Sequence, residues 1–390
     1  MRKSMVIMLM AALLLASCKP DGQNAPPLHR VVIMYAAAYS NLSAAITQDI
    51  NEMCDGMLPT LNSGDVFVVY SHTRPSAKSS NVQPVLFRAW RDKDGTAHRD
   101  TLTRYPVTDI SSTPEVMHKV LSEIQERYPA PHYGLMISSH GAGWLPVGYE
   151  EGRDGGYHPF LATREICIEN TTGSGIDVNL LPDALPMKMD FILMDTCLMG
   201  CVEVAYELRE KCGLLLFSPA EILSDGMVYT TMAQLLTNIV KPDVQTIAKQ
   251  YFDHYQAQSG MYRSATITLT DCSNLEPLAQ VCKKLTAKYR DSINALDHDT
   301  VQGYFYNEST HWYFDLKDIY VQAGATDEEI AELDQALDGA VVYYAATEKF
   351  FNLKLERICG LSMYLPYWDH NKLNNFYRTL SWNKAIDLIQ

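Results

Sequence analysis

Two short stretches carry the residues best suited to nucleophilic chemistry. One is SSHGAGW, residues 138–144, which closes the apolar run HYGLMI and sets His140 beside Gly141. The other is MKMDFILMDT, residues 187–196, a second apolar run that delivers Asp195 and then Cys197. Continuous apolar runs of this length read as strands buried on both faces. In open α/β sheets, sites gather at the carboxyl ends of parallel strands, so if these two strands are neighbours, imidazole and thiol meet above the sheet edge. CLMGCVEVAYELREK reads as a helix starting at Cys197. A thiol in the first turn of a helix is acidified by free N–H groups and the dipole, and a nearby imidazole can lower its pKa further and pass the proton to a leaving amine. The backbone N–H groups of Gly141 and Cys197 are then candidates for an oxyanion hole, and glycine lets the backbone come close to substrate. By residue type alone, the same pair also fits a turn histidine and a packed cysteine.

The elements that must position them alternate. RVVIMYAAA (30–38) and GDVFVVYSH (64–72) are further buried strands, and NLSAAITQDINEM has helical spacing with Asn41 or Ser43 available as its cap. RDKDG holds a hairpin signal at Asp94-Gly95; Asp92 and Asp94 faintly suggest a calcium loop, but the other ligand positions are missing and a plain turn fits better. TPEVMHKVLSEIQERY (113–128) opens with Thr113 and Glu115 and keeps an apolar stripe through Val116, Val120, Leu121 and Ile124, which predicts a helix. GLLLFSPA and SATITLT supply more strands, with VYTTMAQLL and VQTIAKQYFDHYQ helical between them. The alternation predicts an α/β fold, a mostly parallel sheet with helices on both faces and right-handed crossovers, over residues 29–290. Residues 291–390 change to helices rich in tyrosine, aspartate and alanine with one apolar strand, CGLSMYLP, and predict a helical C-terminal subdomain.

SSHGAGW and FILMDTCLMGCVEVAYEL resemble the two motifs of the clostripain family of cysteine peptidases, which sit in the caspase-like clan with gingipain, legumain and separase. The similarity continues through SPAEILSDGMVY, ATITLTDCSNLEPL and GLSMYLP. The resemblance implies a caspase-like fold and a His140/Cys197 dyad with no obligatory third member. Thr196 stands where alanine is commoner and Ala142 where glycine is commoner; neither touches the dyad. The family cleaves after arginine or lysine, and the aspartate matching Asp195 floors its specificity pocket. Alternate side chains of a strand share a face, so Asp195 and Cys197 can both reach one cleft; the other reading of Asp195 is a helix cap. Asp225, in LSDG, is a second carboxylate candidate near the pocket, or a turn aspartate. The family also commonly activates itself by a cut between histidine and cysteine. Of the basic residues in that interval, Arg153 lies among Gly152, Gly155, Gly156 and the acids Glu150, Glu151 and Asp154, which predicts exposure; Arg164 and Lys188 lead into strands.

The chain's start reads as a targeting segment. Arg2 and Lys3, a short apolar stretch and Leu15-Ala16-Ser17-Cys18 resemble a bacterial lipoprotein signal (1–17) with Cys18 as the lipidated residue, followed by a polar tether (18–28). The other reading is an ordinary secretion signal. The expected location is therefore the bacterial envelope, periplasmic or surface-exposed. At 390 residues, 47% hydrophobic and 20% charged, the chain can bury a large core, and its formal charge of −14 without basic runs argues against nucleic acid and for a basic substrate. The nine cysteines are irregularly spaced, which argues against a disulfide framework, and Cys197 and Cys201 have no partnering motif for zinc. No cofactor is required on this reading; calcium dependence occurs in the family, but no calcium loop is legible. The expectation is a monomeric, lipid-anchored endopeptidase cleaving after Arg or Lys. The alternative of another class is a non-catalytic envelope lipoprotein that binds a peptide or protein partner on the same fold.

Overall fold

A computed structural model describes residues 27–76, 78–79, 81–149, 166–169, 174–305 and 311–390. Cys18 and Arg153, the expected lipidation and processing positions, lie outside the described residues, as do the signal segment and most of the tether.

The strands in chain order are β1 (Arg30–Ala38), β2 (Asp65–Thr73), β3 (Val85–Arg91), β4 (Ala97–Arg104), β5 (His132–Ser138), β6 (Ile166–Glu169), β7 (Ser174–Ile176), β8 (Met189–Asp195), β9 (Cys212–Phe217), β10 (Thr266–Asp271), β11 (Phe314–Asp315), β12 (Val341–Ala346), β13 (Lys349–Phe350), β14 (Leu353–Lys354) and β15 (Ser362–Met363). The helices are α1 (Ser43–Asp55), α2 (Pro114–Arg127), α3 (Leu181–Ala184), α4 (Val202–Leu208), α5 (Tyr229–Leu236), α6 (Val244–Gln256), α7 (Leu275–Asn294), α8 (Leu316–Gln322), α9 (Asp327–Ala340), α10 (Asn371–Tyr377) and α11 (Ser381–Ile386).

One nine-stranded sheet organises the chain in the order β12-β10-β9-β8-β5-β1-β2-β3-β4. Its centre, β9-β8-β5-β1-β2, is parallel, and the strands added outside it on either side are antiparallel. The apolar runs at the centre are the strands buried on both faces. In β1, Val31, Ile33, Tyr35 and Ala37 enter one core, while Val32, Met34, Ala36 and Ala38 enter the other. The first core is covered by α2, α4, α7 and the C-terminal helices; the second by α1, α5 and α6. The Asp94-Gly95 signal turns β3 into β4. Asp92 accepts from the backbone N–H groups of Asp94 and Thr96 and bonds His98, so its carboxylate is occupied in holding the turn. Helix α2 begins as the sequence predicts, Thr113 capping the Val116 N–H.

The segment after residue 290 departs from the expected helical subdomain. Val341–Ala346 becomes β12 on the edge of the main sheet, and Trp382, Tyr377 and Leu361 are fully buried in the same core as β5 and β8. The burial along β12 is only partial, as befits an edge strand, so no continuous apolar run announces it. CGLSMYLP contributes only the two-residue β15, paired with β11. The core it completes is one with the preceding domain.

Candidate active site

Strand β5 lies between β1 and β8, in a register that aligns Ser138 with Ala36 on one side and with Asp195 on the other. Their carboxyl ends therefore open at one edge of the sheet, and His140 and Cys197 each stand two residues beyond a strand end. Both line a cleft of about 310 Å³ that Asn41, Asp49, Asp195 and Ile222 also line. The sequence-predicted dyad is brought into one cavity. His140 is buried, and its Nε2 lies 2.7 Å from Asn41 Oδ1. Since the amide oxygen only accepts, Nε2 carries the proton, and in the neutral ring the lone pair sits on Nδ1.

Cys197 does not open a helix. The chain turns at Cys197 and Leu198, the latter at φ 61°, Cys201 bridges to Ser362, and α4 starts only at Val202. The expected acidification by a helix N-terminus is thus absent. The apolar run from Cys197 signals burial under the C-terminal segment here, a role that a buried helix and a buried loop share. The sulfur is held instead by the loop after β9: the Ile222 N–H points to Sγ at 3.4 Å, and Sγ lies 3.7 Å from the Ile222 carbonyl oxygen. Burial, and then the charge of Glu221, push the thiol well above its ordinary range, and burial pulls the His140 imidazolium down to about 3. The resting pair is therefore neutral thiol and neutral imidazole.

Gly141 meets the expectation of close backbone approach. A Cβ there would stand 2.6 Å from the Cys197 carbonyl oxygen and 3.2 Å from its nitrogen, so the two loops touch main chain to main chain. Among the described residues, neither the Gly141 nor the Cys197 amide donates to a backbone or side-chain acceptor. Behind them Trp144 is fully buried against Tyr364 and Tyr377, which fixes the histidine loop to the C-terminal segment.

Asp195 ends β8 on the face of Phe191 and Leu193, toward α5. It is buried, accepts a hydrogen bond from the Tyr229 hydroxyl of α5, and is raised to about 6 by its burial against the opposing effect of that bond. It caps no helix. Asp225 is exposed at the rim beyond β9; the lining of the cleft skips it, passing from Ser224 to Gly226. Sequence reasoning missed Tyr229 and Asp49 and offered Asn41 or Ser43 as a helix cap. In the structure Leu42 precedes α1 without a side-chain cap, and the Asn41 amide is turned to the histidine. The available signal for Asn41 was its place just past the carboxyl end of β1, the strand beside β5.

Residues 34–388 match the model of the clostripain family, peptidase family C11. The chain belongs to that family. A clostripain of Hathewaya histolytica is 28% identical over 208 residues, 47% of this chain, and the match spans only 37% of that relative's length. Among solved structures, an inactive zymogen C11 protease from Parabacteroides distasonis superposes with a TM-score of 0.77 at 27% identity, covering 93% of this chain and 99% of that one. A secreted C11 cysteine protease from Bacteroides thetaiotaomicron gives 0.76 at 24% identity, over 93% and 99%, which establishes the shared fold. The chain thus has the caspase-like architecture expected of a member of the clostripain family. Among the described residues no group of three or more His, Cys, Asp or Glu side chains is placed to hold a metal ion. No helix among those residues is long and apolar enough to cross a membrane.

Proposed function

We propose that the chain is an endopeptidase that cleaves after arginine or lysine, with Cys197 as nucleophile, His140 as general base and then acid, and Asp195 as the floor of the pocket for the basic side chain. The observation that carries this is the sharing of one cleft by a thiol, an imidazole and a buried carboxylate. A guanidinium or ammonium entering the cleft pairs with Asp195, and a neutral side chain leaves that carboxylate uncompensated, which is how a buried acid rejects the wrong residue. Binding brings the scissile carbonyl to Sγ. Because thiol and imidazole rest neutral, the proton passes from Sγ to His140 as the carbon–sulfur bond forms, and from His140 to the departing amine as the acyl-enzyme forms. The Nε2–H bond to Asn41 holds the ring through both transfers. The free amides of Gly141 and Cys197 receive the oxyanion. Water then hydrolyses the thioester by the same steps in reverse.

This reading retains three expectations from the sequence: lipid attachment at Cys18, activation by self-cleavage after Arg153, and action as an envelope-located monomer. Incubation with a lysyl or arginyl peptide carrying a thiol-reactive ketone, followed by peptide mass mapping, tests it. The adduct is expected on Cys197 and on no other cysteine; an adduct confined to another cysteine contradicts the assignment.

A further inference from the structure

Besides Asp195, two buried acids line the cleft, Glu221 beside the thiol and Asp49, and the proposed reaction has used neither. Asp49, one turn and a half into α1, is 4% exposed and lines the same cavity as Asp195. Its carboxylate takes part in no hydrogen bond or ion pair among the described residues. Asp195 at least has the Tyr229 hydroxyl. Asp49 and Asp195, carboxylates of one cavity with no cation among its described lining, oppose each other's ionisation. Burial raises Asp49 to about 9, and Asp195, then Glu52 of its own helix and Asp225 beyond β9, add to the rise. The remaining titratable groups that sense it are Tyr229 of α5 and Tyr255 of α6, and both are phenols. Among the described residues no lysine or arginine lines the cavity.

An unpartnered buried acid costs stability, and folding alone would favour an asparagine of the same shape. A cation delivered from outside removes that cost. We propose that Asp49 is a specificity-determining residue that binds the substrate's arginyl or lysyl side chain together with Asp195, so that the pocket floor is a pair of carboxylates supplied by α1 and β8. This rests on the basic-pocket reading above and deepens it. A guanidinium fork can span two carboxylates, and an ammonium, with three donors, can take an oxygen from each. Among the described residues neither acid faces a competing cation.

The test is steady-state kinetics of the full chain on arginyl and lysyl fluorogenic peptides for wild type, Asp49→Asn and Asp195→Asn, with the rate of Cys197 alkylation by iodoacetamide and the melting temperature measured alongside. Asp49→Asn is expected to raise KM for both basic substrates by about tenfold or more, to leave kcat within about twofold, to leave alkylation unchanged, and to melt at or above the wild-type temperature. Unchanged KM in Asp49→Asn, with Asp195→Asn impaired, overturns the role of Asp49 and leaves the basic pocket standing. A lowered melting temperature with slowed alkylation assigns Asp49 a structural role and overturns the proposal. A wild type that cleaves alanyl and arginyl peptides equally well overturns both.

Discussion

The imidazole of His140 donates from Nε2 to Oδ1 of Asn41 at 2.7 Å, tying the proposed base to the loop that joins β1 to α1. That bond leaves Nδ1 as the free nitrogen. Asn41 is exposed, so its truncation opens no cavity. Asn41→Ala is expected to lower kcat on the order of 10- to 100-fold, as loss of an orienting partner does, with KM and melting temperature nearly unchanged. Asn41→Asp, which keeps an acceptor, should recover part of the loss. Equal kcat for wild type and Asn41→Ala would show that the bond does not position the base.

The resting ionisation state has a pH signature. With the thiol pushed above its ordinary value of 9.0 and the imidazolium down to about 3, neither group changes charge between pH 4 and 8 in the free enzyme. The thiolate fraction therefore grows with each pH unit through this range. Alkylation of Cys197 by iodoacetamide, followed by mass spectrometry, should accelerate about tenfold per unit from pH 7 to 9. A rate that is flat from pH 5 to 8 would indicate a preformed thiolate–imidazolium pair instead.

Gly141 carries a steric prediction. A methyl group there would stand 2.6 Å from the Cys197 carbonyl oxygen and 2.9 Å from the Thr196 Cβ, and neither the main chain nor a Cβ can retreat without moving the nucleophile loop. Gly141→Ala should cost about 1–3 kcal/mol in stability and lower kcat by more than tenfold, since the proposed oxyanion donors shift with the loop. Calorimetry and peptide turnover check the two parts separately. A variant of wild-type stability and rate would mean that the loops are not in contact.

The parallel centre of the sheet and the meeting of His140 and Cys197 at one sheet edge were legible because buried parallel strands are unbroken apolar runs, and these two residues follow directly from two of them. What lay beyond was hidden by the same chemistry. The run from Cys197 is apolar because it packs under Trp144 and the C-terminal segment, which resembles a buried helix in sequence though its first residues are a turn. Asp49 sits on a helix among Gln48, Asn51 and Glu52, where one more polar residue marks no inner face. Only the packing of α1 beside β1 turns it inward. Asn41 suited a helix cap by residue type, and the register of β1 against β5 was needed to aim it at the histidine. β12 escaped because an edge strand needs no apolar run.

Glu203 offers a stability test of how the C-terminal segment is held. It is fully buried at the start of α4 and accepts from the Tyr364 N–H at 2.9 Å and the Tyr377 hydroxyl at 2.7 Å. Burial raises it to about 7 from 4.5. Between these values the folded state holds more protons than the unfolded, so its contribution is full below pH 4.5 and is lost as pH rises through 7. Glu203→Gln should flatten the fall in melting temperature between pH 5 and 7.5. An unaltered slope would mean that Glu203 does not titrate there.

The central claim is that Cys197 attacks substrates chosen by the carboxylate of Asp195. It is tested most directly by the ratio of kcat/KM for an arginyl over an alanyl fluorogenic peptide, measured for wild type and Asp195→Asn, with Cys197→Ala as the zero. The wild-type ratio should exceed about 100 and fall at least tenfold in Asp195→Asn, given the strength of a desolvated charge pair, and Cys197→Ala should release no fluorophore although Cys201 remains. Retained turnover in Cys197→Ala, or a ratio that Asp195→Asn leaves unchanged, would contradict it.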